Sequence, residues 1–111
     1  KFVFDDVVWF NFFDICDGPR SQNDYMEIAK EFHTVFLSEV PKFDSQSEDL
    51  VRRFIYLIDI FYDRKIKLMI SSEVSIHNLY QDGKFLFEFQ RTISRLQEMQ
   101  SNEYLAAQHK A

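Results

Sequence analysis

The residues in this chain best suited to chemistry lie where short apolar runs stop. In HTVFLSEVP, residues 33–41, the run Val35-Phe36-Leu37 ends at Ser38, Glu39 and Pro41. A carboxylate closing a buried strand is one way a protein holds magnesium, a hard cation that prefers oxygen. Glu73 follows Ser71 and Ser72 at the end of KIKLMISS, and Asn11 and Asp14 follow VVWF. Ligands in open α/β sheets gather at the carboxyl ends of the strands. Asp14, Ser38, Glu39, Ser71, Ser72 and Glu73 are therefore a candidate polar cleft. The same residues would serve equally as helix caps and solvated loop positions.

Arg91 and Arg95 lie one turn apart, with Glu98 beyond them, opposite the apolar Ile93 and Leu96. Guanidinium pairs two oxygens at once, so the arginines are candidates to reach an anion or an acidic partner. The alternative is a solvated helix face with an Arg95–Glu98 pair. Arg52 and Arg53 open a helix where its dipole disfavours cations, and Asp49 is placed to offset Arg53. They are an anion site or a surface feature.

Other chemistries lack their parts. Phosphate-cradling loops follow G-x-x-x-x-G-K-[ST], since backbone N–H groups must wrap the phosphates. Gly83-Lys84 is followed by Phe85, Asn78 stands where the first glycine belongs, and Gly18 is the only other glycine. These residues alone are not expected to bind or hydrolyse ATP. His33, His77 and His109 have no ligand spacing, so no metal is expected. Cys16 has no evident base and reads as a small core residue. No G-x-S-x-G accompanies the serines.

The elements that must position these residues come from periodicity. KFVFDDVVWFNFF reads as extended, with Asp5-Asp6 turning the chain and Asp17-Gly18-Pro19 breaking it. Ser21 and Asp24 cap a helix over about 22–32, and Thr34–Leu37 is a strand. Ser45 and Glu48 cap a helix reaching about Arg64, with Leu50, Phe54, Leu57, Ile58 and Phe61 along one face. KIKLMISS is a third strand, Ser75–Tyr80 a single helical turn, and Phe89, Ile93, Leu96 and Met99 mark a long last helix. The tail after Tyr104 is expected to fray.

Strands alternating with helices imply right-handed crossovers and a mostly parallel sheet of three or more strands, apolar on both faces. The expected fold is thus α/β: helices cover the sheet in an αβα sandwich, a P-loop-NTPase-like topology without the P-loop. The 111 residues fit one domain, and 13 phenylalanines supply its core. A net charge of −5 disfavours nucleic acid. No apolar run approaches the roughly 18 residues of a membrane span. One cysteine excludes an internal disulfide. The chain starts at Lys1 without an initiator Met, and residues 1–111 read as a piece of a larger protein.

The strings NDYMEIAKEFHTVFLSEVP, RRFIYLIDIFYDRKIKLMISSE and FEFQRTISRLQEMQSNEYL resemble the C-terminal region of ZapE-type ATPases. These are bacterial cell-division members of the AAA+ superfamily, related to the mitochondrial Afg-like ATPases. The resemblance runs from about Phe10 to Leu105, and within it Arg91 and Arg95 are the implied candidates for contact with a nucleotide or a neighbouring subunit. It implies Walker motifs, ATP and magnesium in the intact protein, outside these residues. It implies a cytoplasmic protein acting at the FtsZ ring of the division septum. The partners implied are the rest of the ATPase chain, FtsZ and further copies of the protein, without nucleic acid or an integral membrane segment. Glu39 is read as an echo of a magnesium-binding strand with no magnesium bound. Two other readings compete: a stand-alone interaction module without catalysis, and a small enzyme using Glu39 and Glu73.

Overall fold

A computed structural model of the chain describes residues 2–17 and 22–106. Strand β1 (Phe2–Phe4) turns at Asp5, whose φ is 52°, and pairs antiparallel with β2 (Val7–Asn11). Helix α1 (Phe12–Cys16) follows at once. The extended reading through Phe13 is therefore corrected. The Asn11 side chain accepts a hydrogen bond from the Phe13 N–H at 3.0 Å, which caps a helix there. Phe12, Ile15 and Cys16 then share one buried face at helical spacing.

Helix α2 (Gln22–Glu31) matches its expected span; its proposed cap Ser21 and the Gly18-Pro19 break lie outside the described residues. Strand β3 (Thr34–Val40) runs three residues past Leu37. Helix α3 (Glu48–Asp63) starts later than Ser45, because Asp44 organises the preceding turn. Its carboxylate accepts from the Gln46 N–H at 2.8 Å and from the Ser47 hydroxyl at 3.0 Å. Strand β4 (Lys67–Ser72), a 3-10 turn (Ile76–Asn78) and helix α4 (Leu86–Glu98) follow as expected. Leu105 and Ala106, expected to fray, close a short helix α5 (Asn102–Ala106), and the rest of the tail lies outside the described residues.

The sheet order is β1-β2-β3-β4, with β2, β3 and β4 parallel. The expected α/β class and parallel sheet are present. Both crossovers advance in the same direction across the sheet. Helices α2 and α3 pack against each other on one face, as right-handed crossovers advancing in one direction require. Helix α3 is the centre of that layer, packing against α1, α2 and α4. Helix α5 joins it through the Tyr104 hydroxyl, which donates to Phe61 O at 3.1 Å and Ile66 O at 2.6 Å.

Beneath the helices lie Val8, Phe10, Val35, Leu37 and Leu68, all buried. Phe12, Phe43, Phe54 and Phe89 join in one aromatic cluster with ring centroids 5.5 to 6.1 Å apart. The opposite face differs: Trp9, Phe36 and Met69 are 50%, 40% and 47% exposed. The second helical layer of a three-layer sandwich is not found among the described residues.

Candidate functional site

The carboxyl ends of β3 and β4 do form a depression, of about 470 Å³, lined by Glu39, Pro41, Ser71, Ser72 and Glu73 with Phe13 at its side. A bulge between Leu37 and Val40 interrupts the β3–β4 register and carries Glu39 into the left-handed region at φ 59°. That backbone is costly for a residue with a β-carbon. Here the Glu39 carboxylate accepts a hydrogen bond from Asn11 Nδ2. Asn11 thus both caps α1 and holds Glu39. Glu73 accepts from the Lys42 N–H at 2.7 Å, and the Ser72 hydroxyl donates to Val74 O. Both carboxylates fasten local structure, one the strand ends and the other the loop after β3.

Two of the six cleft candidates lie elsewhere. Asp14 is exposed on α1 and does not line the depression. Ser38 points to the open face of the sheet, where its Oγ accepts from Trp9 Nε1–H at 2.8 Å and donates to Phe10 O at 3.4 Å. The parallel strands also run β2-β3-β4 without reversing order, so the described strands contain no switch point of the kind that opens a ligand crevice. No group of three or more His, Cys, Asp or Glu residues that could hold a metal occurs among the described residues.

Gly83-Lys84, the nearest approach to a phosphate loop, is occupied otherwise. A β-carbon on Gly83, whose φ is 153°, would lie 1.8 Å from the Tyr80 hydroxyl oxygen. The glycine gives Tyr80 room rather than phosphate. Lys84 Nζ is 3.1 Å from Glu48 Oε2 and 5.3 Å from the Phe85 ring centroid. These residues do not fit a nucleotide triphosphate or its magnesium.

Arg91 and Arg95 lie along the α3–α4 seam. Arg95 is bonded to Asp59 of α3, with its side chain 25% exposed, and its guanidinium is 5.0 Å from the Tyr62 ring centroid. Arg91 is 3.8 Å from the same carboxylate and 59% exposed. Glu98, expected to pair with Arg95, accepts the Tyr62 hydroxyl at 2.6 Å. That hydrogen bond raises the phenol's pKa, with smaller contributions from burial and the carboxylate's charge.

Arg52 pairs with Asp49 at 2.8 Å. Arg53 donates to Cys16 O at 3.2 Å, satisfying a carbonyl at the end of α1. Burial pushes the Cys16 thiol up to about 12, partly offset by Tyr25 and Arg53. The contacts that sequence reasoning missed, Trp9 to Ser38 and Arg95 to Asp59, join residues far apart in the chain, and no local spacing signals either.

The AFG1-like ATPase family model matches residues 1–108. Cell division protein ZapE of Escherichia coli strain K12 is 48% identical over 101 residues, covering 91% of this chain and 27% of ZapE. An uncharacterized protein of Schizosaccharomyces pombe is 32% identical, covering 89% of this chain and 28% of that protein. Lactation elevated protein 1 homolog B of Danio rerio is 30% identical, covering 85% and 25%. The chain thus spans about a quarter of the length of these curated relatives. No solved structure matches it.

Proposed function

This chain belongs to the AFG1-like ATPase family, and from that premise we propose that it is the C-terminal α/β domain of a longer ATPase acting in bacterial cell division at the FtsZ ring. The observation that carries the reading is the 48% identity to a protein named for cell division, held across 91% of the chain. In this reading ATP and magnesium bind outside these residues, since neither Gly83-Lys84 nor the strand-end carboxylates suit a phosphate or its cation. The intact protein is cytoplasmic, works at the septum and assembles with further copies of itself. No helix among the described residues is long and apolar enough to cross a membrane.

Within this domain the arginines divide the labour. Arg95 is committed to Asp59, whereas Arg91 keeps enough exposure to reach nucleotide phosphate or a neighbouring subunit. The depression beside Glu39 and Glu73 is a secondary candidate for a partner contact.

The test is steady-state MgATP turnover by a full-length protein carrying this sequence, beside the 111-residue chain alone. Turnover is expected from the first only, and Arg91→Ala in the full-length protein is expected to lower it. A full-length protein without turnover overturns the ATPase reading and favours an interaction module. Normal turnover by Arg91→Ala returns Arg91 to the helix surface.

A further inference from the structure

We infer that Phe87 and Arg91, on the exposed face of α4, dock onto a second copy of the chain, in the depression at the carboxyl ends of its β3 and β4. The inference rests on the reading that the protein assembles with further copies of itself, and names the surfaces that meet.

Phe87 is 86% exposed, the most of any large apolar side chain among the described residues, and Leu86 beside it is 36% exposed. One exposed apolar residue is ordinary. This one stands one helical turn before Arg91, whose side chain is also largely exposed. Residues four apart on a helix are neighbours on its surface. Aromatic rings and arginine are enriched where protein contacts carry their binding energy. Asp59 is bonded to Arg95 and lies 3.8 Å from Arg91, so the Arg91 fork keeps donors for a further carboxylate.

The complementary surface is on the same chain. The depression of about 470 Å³ has apolar walls in Pro41 and the half-exposed Phe13. Pockets of about 300–1,000 Å³ take a whole small molecule, so there is room for one phenyl ring. Glu39 and Glu73 also line it, and both are exposed. The bonds that fasten them use Oε2 of Glu39, toward Asn11, and Oε1 of Glu73, toward the Lys42 N–H. An ionised carboxylate has about four acceptor sites, so both keep capacity for a guanidinium. Ring and cation on one surface thus match ring and carboxylates on the other, and opposite charge selects the partner. Every copy carries both surfaces, and within one copy Phe87 does not line the depression.

The experiment uses two variants of the purified full-length protein, each with one added cysteine. Gln90→Cys lies beside Phe87 and Arg91, and Ser71→Cys lies in the depression. Both positions are exposed, so neither change threatens the fold. The variants are mixed and treated with bismaleimidoethane, and the joined peptides are mapped by mass spectrometry. A link between positions 90 and 71 is expected in the mixture and in neither variant alone. Adding Phe87→Ser should abolish that link. In sedimentation equilibrium Phe87→Ser should weaken self-association about thirtyfold, the loss that follows removal of a hot-spot side chain. A self-associating protein without the link between positions 90 and 71, or with a link indifferent to Phe87→Ser, overturns this inference alone. A link between two copies of position 90 in the Gln90→Cys variant overturns it in favour of α4 packing on α4. A monomer at every concentration overturns the assembly reading and this inference together. MgATP turnover is measured on the parent protein: the expected link without turnover sinks the ATPase proposal alone.

Discussion

Arg95 of α4 is bonded to Asp59 of α3 across 36 positions of sequence, with both side chains about three-quarters buried. The pair fastens the last long helix to the central one, and Tyr62 supports it with its ring face.

Breaking that pair should weaken the fold. Partial burial raises its value above that of a surface ion pair. Arg95→Ala is expected to cost about 1.5–2 kcal/mol, the lower part of the range for hydrogen bonds to charged groups. Arg91→Ala, on the exposed end of the seam, should stay within about 0.5 kcal/mol. Urea unfolding of the 111-residue chain checks both values, and a double-mutant cycle with Asp59→Asn isolates the pair. Equal, negligible effects of the two arginines would contradict the division of roles.

Phe54 is fully buried and touches the rings of Phe12, Phe43 and Phe89. Truncation leaves a cavity lined by these three rings. Phe54→Ala is expected to destabilise by roughly 3–5 kcal/mol. The same denaturation measurement decides it. A loss under about 1 kcal/mol would mean a core able to collapse around the gap.

Gly83 combines a positive φ with direct contact against the buried Tyr80 ring. Gly83→Ala must strain the backbone and displace Tyr80, whose hydroxyl accepts the Phe85 N–H at 3.2 Å. The expected cost is about 1–3 kcal/mol, the usual range for overpacking. Near-wild-type thermal stability would show that the turn relaxes freely.

Cys16 gives a pH dependence. Its thiol rises from 9.0 to about 12 on burial in the folded chain. The unfolded chain therefore loses this proton first as pH rises, which favours unfolding. The stability contributed by the buried thiol is complete below pH 9.0 and is lost progressively toward about 12. Chemical denaturation between those limits should show a steeper decline for the parent than for Cys16→Ala. Matching slopes would mean the thiol titrates normally.

The elements themselves were legible locally. Phe54, Leu57, Ile58 and Phe61 identify the central helix by their spacing, and Val7–Phe10 and Val35–Leu37 identify strands by their apolar runs. Alternation of these elements implied right-handed crossovers and hence the parallel sheet. Helix α1 was not legible, because Phe12 and Phe13 continue a strand-like composition. Only the hydrogen bond from the Phe13 N–H to the Asn11 side chain marks where the strand stops.

The sequence by itself determined the element types, the α/β class, the apolar character of both sheet faces and the lack of a phosphate-binding loop. Each follows from residue type and spacing within one segment. Tertiary structure decided which apolar face is covered, because that depends on the direction in which successive crossovers advance across the sheet. It turned Ser38 away from the cleft it was expected to line, and gave Glu39 and Glu73 to Asn11 and the Lys42 N–H. It also drew Arg95 onto Asp59. A local pattern shows which groups are polar or charged; only the packing of distant segments decides which partner satisfies them.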